Sequence, residues 1–436
     1  MKRIKAGLIG FGTVGTGVVK AFERNREILE QRLGAAVELK RIVSRDIERP
    51  RGVEVAPGLL STDVQSILRD PEIELVIELM GGYEPARTYI LEAIAQGKDV
   101  VTANKALLAL HGPEIFEAAK KAGVDVFYEA AVAGAIPVIT AIRENLCINR
   151  FQSLFGILNG TCNYILTRMT DEGADFSEVL KDAQAQGYAE ADPTFDVEGI
   201  DTAHKLSVLI SLCFGTPVDF DRIYIEGISR ITALDIQFAK EFGYKIKLLA
   251  ICKEEGGRIE ARVHPTMLTQ GHPLTDVDGV FNAVRIVGDF SGPIMLSGRG
   301  AGMDATASAV MGDVMSCVRN RVTGSSGRAP ARGYRCEAIR SLPIKPMDEV
   351  VSQYYLRFMV NDRPGVLAKI AGILGDRRIG IASMIQPERH QEDSVPVVLL
   401  THEAVEADVR CALAAIDALE VIREPSRFIR IEASLD

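Results

Sequence analysis

The sequence predicts an α/β protein of three units in series: an open parallel sheet wrapped by helices, an α+β unit, and a small βαββαβ tail. Three observations carry that reading. Short apolar runs alternate with helical patterns over residues 1–136, the mark of right-handed βαβ crossovers and a parallel sheet. From Pro137 the pattern turns to helices followed by hairpin-like pairs, which mixes the two classes. Beyond Val351 the order strand, helix, strand, strand, helix, strand is complete, the ferredoxin-like arrangement.

In the first unit, 1–136, the apolar runs 4–10, 37–44, 75–79, 99–102 and 124–129 read as strands, with crossover helices at 84–96 and 112–121. The second unit, 137–301, opens with helices at 137–146, 161–172, 176–186 and 199–214. Two hairpin-like pairs follow, 247–252 with 258–263 and 283–287 with 292–297. A helix at 302–318, with Ala and Val at helical spacing, is expected to return to the first sheet and complete that unit around 302–320. Residues 328–351 hold Pro330, Pro343, Pro346 and many charges without a sustained hydrophobic period, so they read as a linker. In the tail, 352–436, strands at 354–360, 380–385, 395–401 and 427–432 surround helices at 366–375 and 405–419.

Composition narrows the function classes. With 436 residues, 47% hydrophobic and 25% charged, the chain is long enough for several cores and has the balance of a folded soluble protein. Fifty Lys+Arg against 59 Asp+Glu give a net charge of −9, which lacks the basic excess that a phosphate backbone demands, so nucleic acid is not an expected partner. Seven cysteines without a CxxC pair point to a reducing compartment and away from a thiolate metal site. Lys2, Arg3 and Lys5 precede an apolar stretch at 6–19 that imitates a secretory signal, but it leads straight into a charged helical pattern. No segment approaches the roughly 18 apolar residues of a membrane span. A cytoplasmic location, with no membrane partner, is expected.

Four segments carry chemistry. Gly10-Phe11-Gly12-Thr13-Val14-Gly15 follows a predicted strand and opens a helix, the context in which G-x-G-x-x-G binds a dinucleotide. Gly10 permits the tight turn, Gly12 lets amides approach a pyrophosphate, and Gly15 allows close helix packing. The plain alternative is a glycine-rich turn without a ligand. The second strand ends at Ser44-Arg45 rather than at an acid that would hold a ribose 2′-hydroxyl. An arginine there suits a 2′-phosphate and favours NADP over NAD, whereas Asp46 taking the ribose would leave NAD.

Thr102-Ala-Asn104-Lys105 lies at the carboxyl edge of the sheet, where ligands of open α/β folds bind. Between Glu190 and Lys205 an acid-rich loop, with Asp192, Asp196 and Glu198, runs into a helix on which Asp201 and Lys205 share one face at i and i+4. Taken alone, such a pair is more often a solvated surface ion pair, and His204 is more often structural than catalytic. The segment from Glu129 to Pro137 turns through small residues, so carbonyls and one carboxylate can converge on a hard cation, or simply form a tight loop. A second glycine-rich strand-to-helix turn, ending at Gly302, either lines the cofactor or allows close packing.

These residues together resemble one family: homoserine dehydrogenase in its bacterial form with a C-terminal ACT domain. GFGTVG at 10–15, TANK at 102–105, EAAVAGAIP at 129–137, GILNGTCNYIL at 156–166 and DPTFDVEGIDTAHK at 192–205 stand in the family's order and span nearly the whole chain. The resemblance implies a Rossmann-type NAD(P) domain, a substrate and dimerisation domain, and an ACT regulatory domain. It implies reversible interconversion of L-aspartate 4-semialdehyde and L-homoserine, in a homo-oligomer, dimer or tetramer. Lys205 would then donate the proton, with Lys105 beside it at the nicotinamide and Asp201 orienting the lysine. Glu190 would hold the substrate ammonium, while Asp196, Gly160 and Thr161 shape the pocket. A structural sodium ion is assigned to Glu129 and the carbonyls of Val132, Gly134 and Ile136. In the tail, Asn361 and Gly365 would contact an effector, with L-threonine, a downstream product, as the inhibitor to expect.

Overall fold

The structure is a computed structural model and describes residues 2–386 and 394–433. The first sheet contains six parallel strands, β1 (Lys2–Ile9), β2 (Ala35–Val43), β3 (Leu60–Ser61), β4 (Ile73–Glu78), β5 (Asp99–Thr102) and β6 (Val126–Phe127), in the order β3-β2-β1-β4-β5-β6. The chain builds outward in both directions from the β1–β4 contact, so a crevice opens at the carboxyl ends of those two strands. Ile4, Ala6 and Leu8 of β1 are fully buried on one face, against Val18 and Phe22 of the helix Thr13–Arg24 and Ala307, Val310 and Val314 of the helix Met303–Thr323. The late helix does return to the first sheet, and Gly17 lets it: a Cβ there would lie 2.8 Å from the Met303 carbonyl oxygen and 2.9 Å from the Ala307 Cβ.

One helix differs from the sequence reading in a way that matters for the site. The segment assigned to 112–121 belongs to a helix running Lys105–Ala122, so Lys105 is its first residue. Asn104 caps it by accepting from the Leu107 amide at 3.2 Å. Pro113 lies inside this helix, where proline removes one backbone donor without ending it. The short β3 has no counterpart in the sequence reading either, because its two residues are too few to show a period.

The second sheet is mixed and larger. Its middle-unit strands are β7 (Phe151–Ile157), β8 (Tyr224–Ile225), β9 (Tyr244–Glu255), β10 (Arg258–Thr269), β11 (Phe281–Gly288) and β12 (Gly292–Arg299). Its tail strands are β13 (Val351–Val360), β14 (Ile381–Ile385), β15 (Val395–Thr401), β16 (Ala404–Val405) and β17 (Arg427–Ile431). The main path runs β12-β11-β7-β9-β10-β17-β13-β15-β14. Both expected hairpins form, with β9 and β10 longer than anticipated; β7, central in this sheet, was not anticipated, because Gln152, Ser153 and Gly156 break its apolar run. The helices Gly160–Glu172 and Ile200–Phe214 bury Ile165, Leu166, Met169, Leu206, Leu209 and Ile210 in the same core as Ile246, Leu248 and Ala250 of β9.

The tail has the expected βαββαβ order, with its own strands arranged β17-β13-β15-β14 and its two helices packed through Ile370, Leu374, Val409 and Leu413. It is also joined to the middle unit. β17 pairs in parallel with β10, Thr266 opposite Arg430 and Met267 opposite Ile431, so one sheet runs through both units. The intervening segment is pinned to β10, with the Ile259 amide donating to the Pro343 carbonyl and the Lys345 amide to the Ile259 carbonyl. Buried ion pairs cross the seam: Arg430 donates to Glu406 of the tail and to Glu226 of the middle unit, Arg262 to Glu432, and Arg357 to Asp235.

Arg430 and Glu406 are 1% and 0% exposed, so removing this cation takes away the buried partner of the carboxylate and leaves it only Arg410, on the outer side, and the Tyr354 hydroxyl. Arg430→Met is therefore expected to lower unfolding free energy by about 2–3 kcal/mol at pH 7, below the roughly 3–5 kcal/mol of a fully stranded buried charge because Arg410 remains, measured by urea titration. Burial pushes the Glu406 carboxyl up, but Arg430 outweighs it and holds it below the ordinary carboxylate range. A depressed folded pKa stabilises above the unfolded value and stops doing so as pH falls through the folded one. The deficit should accordingly be full at pH 7 and shrink on acidification below the carboxylate range.

Candidate functional site

The nucleotide turn has the predicted geometry. Gly10 adopts φ +103°, and a Cβ there would lie 2.6 Å from the Leu79 backbone, so only glycine passes between β1 and β4. A Cβ on Gly15 would stand 2.2 Å from the Gly10 carbonyl oxygen, whereas one on Gly12 would meet nothing within 4 Å. Open space therefore lies over Gly12, at the start of the helix Thr13–Arg24, whose N-terminus has no side-chain cap. Unpaired first-turn amides facing open space are what a pyrophosphate needs. Thr13 and Val14 form that first turn, and Gly302, at φ +121°, starts the helix Met303–Thr323 packed against it.

At the end of β2, Arg45 is exposed. Sequence reasoning missed its neighbour in space, Arg51. That guanidinium lies over the Phe11 ring, 4.6 Å from its centroid, donates to the Phe11 carbonyl, and reaches the Ser44 hydroxyl at 3.1 Å. Phe11 itself is buried.

The chemistry-bearing side chains meet where the carboxyl end of the first sheet faces the middle unit. Lys205 and Asp201 stand on one face of the helix Ile200–Phe214, with Lys205 Nζ 2.7 Å from Asp201 Oδ2. Lys105, from the other unit, brings its Nζ to 3.2 Å from Asp201 Oδ1. One carboxylate thus binds two ammonium groups, one through each oxygen. The Asp201 side chain is 5% exposed, Lys205 12% and Lys105 35%, so this is not the solvated pair that spacing alone suggests. Burial works against the Asp201 charge, but Lys205 and Lys105 outweigh it and hold its carboxyl well below the ordinary range.

Lys205 also donates to the Leu158 carbonyl at 2.7 Å, which Asn282 shares at 2.9 Å. Asn159 joins the acidic residues: its Nδ2 donates to Asp196 at 2.8 Å and to Asp201 at 2.9 Å, while its Oδ1 accepts from the Cys162 amide. Burial, then the charge of Asp201, pushes the Asp196 carboxyl up. Thr161 reaches the Tyr188 carbonyl at 2.7 Å and Asp196 at 3.4 Å; a Cβ on Gly160 would press on the Val280 carbonyl. Glu190 is exposed on the loop above, its side chain clear of the carboxylate cluster's hydrogen bonds. His204 is stacked between Phe195 and Phe220, and its Nε2 lies 3.5 Å from the Tyr83 hydroxyl.

The strand ends beneath Lys105 hold a residue that the sequence reading passed over. Glu78, fully buried at the end of β4, accepts from Thr102 Oγ1 at 2.6 Å and from the Met80 amide at 2.7 Å. Its signal in the sequence was an acid directly after the apolar run Leu75-Val76-Ile77.

Glu129, Val132, Gly134 and Ile136 share one tight turn in which Ala133 and Gly134 both have positive φ. The Glu129 carboxylate accepts from the Ile139 and Thr140 amides at 2.7 and 2.8 Å and from the Thr140 hydroxyl, so it caps the next turn of chain. The Glu129 amide donates to buried Asp313 at 2.7 Å. In the tail, Asn361 is buried and accepts from Arg423, while Gly365, at φ +88°, precedes the helix Val366–Asp376 with open space about it.

No helix among the described residues is long and apolar enough to cross a membrane. The chain matches three families along its length: homoserine dehydrogenase, NAD binding domain, at 10–129; homoserine dehydrogenase at 137–315; and the ACT domain at 354–420. It is 46% identical to a homoserine dehydrogenase of Pseudomonas aeruginosa over 99% of both chains, and 38% identical to that of Bacillus subtilis over 100% of this chain and 99% of the other. A crystal structure of a homoserine dehydrogenase from Thiobacillus denitrificans superposes with a TM-score of 0.94 at 46% identity, over 99% of each chain. That of Staphylococcus aureus does so with a TM-score of 0.77 at 31% identity, over the whole of both. With a nucleotide turn, two lysines about a buried aspartate and an ACT tail in one continuous match, the chain belongs to the homoserine dehydrogenase family of oxidoreductases.

Proposed function

We propose that this protein interconverts L-aspartate 4-semialdehyde and L-homoserine, with NADP favoured over NAD. The observation that carries the reading is the Asp201 carboxylate binding Lys105 and Lys205 from two different units, in the crevice beside the nucleotide turn. A nicotinamide bound there supplies or accepts the hydride. Lys205 gives its proton to the carbonyl oxygen during reduction, and Asp201 with the Leu158 carbonyl fixes the direction from which that proton comes. Lys105 adds a second positive charge where the alkoxide develops. Glu190 and Asp196 provide the anionic side that an amino acid's ammonium requires, and Gly160 and Thr161 shape the wall beside them.

Gly10–Gly15 would hold the pyrophosphate, and Arg51, 3.1 Å from the Ser44 hydroxyl, with exposed Arg45 next in sequence to Ser44, would offer cations that suit a 2′-phosphate. Sodium fits the 129–136 turn through the carbonyls of Val132 and Gly134, which accept no backbone hydrogen bond among the described residues. Glu129 and the Ile136 carbonyl complete the set, although each already accepts from backbone amides. The tail senses threonine through Asn361 and Gly365 in a homo-oligomer, in the cytoplasm.

A spectrophotometric assay of NADPH oxidation with aspartate semialdehyde tests the reaction, and threonine added at saturation is expected to lower the rate. No turnover with the semialdehyde overturns the reading; a rate indifferent to threonine overturns the feedback. Lys205→Ala should lose about 100-fold or more in kcat, as expected for a general acid, with thermal unfolding and NADPH binding retained. Loss of cooperative unfolding would instead make Lys205 structural. Arg45→Ala and Arg51→Ala should each weaken NADPH about tenfold and leave NADH nearly unchanged, because only NADPH carries the extra phosphate; equal effects on both cofactors would remove the arginines from cofactor choice.

A further inference from the structure

Glu78 is used by none of the chemistry above, yet it connects two loops of the site. It is fully buried and forms no ion pair among the described residues. Its Oε1 accepts from the amides of Met80 at 2.7 Å and Gly81 at 3.3 Å, and its Oε2 accepts from the Thr102 hydroxyl at 2.6 Å. Thr102 Oγ1 in turn accepts from the Asn104 amide at 3.0 Å. Asn104 donates through Nδ2 to the Gly82 carbonyl at 2.7 Å, and its Oδ1 caps the helix that begins at Lys105.

A carboxylate buried without a cation is expensive, and an apolar residue would close a strand end at less cost. Burial pushes the Glu78 carboxyl up, against the pull of its donors. What the carboxylate supplies is directionality. It only accepts, so it fixes the Thr102 hydroxyl proton toward Oε2 and leaves the hydroxyl's lone pairs to the Asn104 amide. A glutamine cannot reproduce this: with its oxygen toward Thr102 its NH₂ faces the Met80 and Gly81 amides, and with its NH₂ toward Thr102 the hydroxyl proton has no acceptor. Gly81 and Gly82, at φ +71° and +74°, bend the loop so that its amide and carbonyl groups reach this network.

We propose that Glu78 is a positioning residue: through Thr102 and Asn104 it sets the first turn of the helix Lys105–Ala122, and thereby holds the Lys105 ammonium against Asp201. Resting on the reaction proposed above, the inference assigns Glu78 no contact with substrate or cofactor. Lys105 has a long side chain that is one-third exposed, so the place of its ammonium depends on where the helix begins.

The test compares Glu78→Gln, Thr102→Val and Thr102→Ser with wild type by kcat, KM, NADPH affinity and labelling of Lys105. Glu78→Gln should lower kcat about tenfold or more, as displacement of a positioned group does, while NADPH affinity stays within about threefold. Thr102→Val should reproduce the loss and Thr102→Ser restore wild-type kcat, a pattern that a general packing role would not give. Labelling of Lys105 by an amine reagent, read by peptide mass spectrometry, should be about threefold faster in Glu78→Gln, the effect of releasing a partly exposed ion pair. Wild-type kcat and labelling in Glu78→Gln overturn the proposal, as does a silent Thr102→Val. If Glu78→Gln fails to fold, the two Thr102 variants decide. If wild type does not reduce the semialdehyde, the proposed reaction fails separately, and labelling of the same variants still decides the role of Glu78.

Discussion

The active crevice is organised by one buried anion. Asp201 lies in the first turn of its helix, where the helix N-terminus favours negative charge, but that alone does not offset the loss of water around a carboxylate 5% exposed. Its ionised state depends on two ammonium groups, and they come from opposite walls: Lys205 from the same helix, Lys105 from the edge of the first sheet. The electrostatic requirement of one carboxylate is therefore met only where the two units, which share an apolar core, face each other. The same requirement places two proton-bearing nitrogens side by side at the mouth of the nucleotide crevice. Asn159 adds to this by sharing its two amide hydrogens between Asp201 and Asp196, which keeps two carboxylates in one place at tolerable cost.

The tail is bound by comparable physics. A parallel pair of only two register positions joins β10 to β17, too little to hold a domain by itself. Tyr355, Val398, Leu400, Ile429 and Ile431 of the tail join the middle unit's apolar core, and buried arginines add ion pairs across the seam. Arg430 spans the seam to Glu226, and the next residue, Gly227, lies so close to the chain at Val197 and Glu198 that a Cβ would stand 2.3 Å from the Val197 carbonyl oxygen. The Ile228 amide donates to that same carbonyl at 2.8 Å. A contiguous set of tight contacts thus leads from the tail sheet to the segment just before Asp201. The units at 137–301 and 352–436, which sequence patterning separates by a linker, share one sheet and one set of ion pairs.

What could be read from the sequence follows a physical division. Local patterns were legible: the glycine turn after β1, the βαβ alternation, the hairpins, the tail's order and the i, i+4 pair of Asp201 and Lys205 all depend on near neighbours. The helix start at Lys105 was not: the Asn104 cap decides that boundary, and Pro113 lies inside the helix without ending it. β7 was missed since its polar positions conceal a strand that is central only in the assembled sheet. Arg51 and Glu78 were missed for a shared reason: each acts on residues distant in sequence, Arg51 on Phe11 and Glu78 on Thr102. The burial of the Asp201 pair belongs to the same class, as spacing shows that two charges can meet but not whether water surrounds them.

Buried charge is handled differently at the two ends of this protein. At the seam with the tail, each carboxylate is matched by an arginine, whose planar fork takes several acceptors and whose proton stays in place. In the crevice the cations are lysines, with rotatable ammonium groups that can release a proton and turn toward a new acceptor. On the reaction proposed above, arginine at position 205 would keep the charge and lose the proton transfer. Beneath them, Glu78 pairs with no cation among the described residues and accepts from amides and a hydroxyl. A donor set of two amides and one hydroxyl holds these strand ends together. The partner at each buried carboxylate thus differs with its place: arginine at the seam, lysine in the crevice, and amides with a hydroxyl at the strand ends.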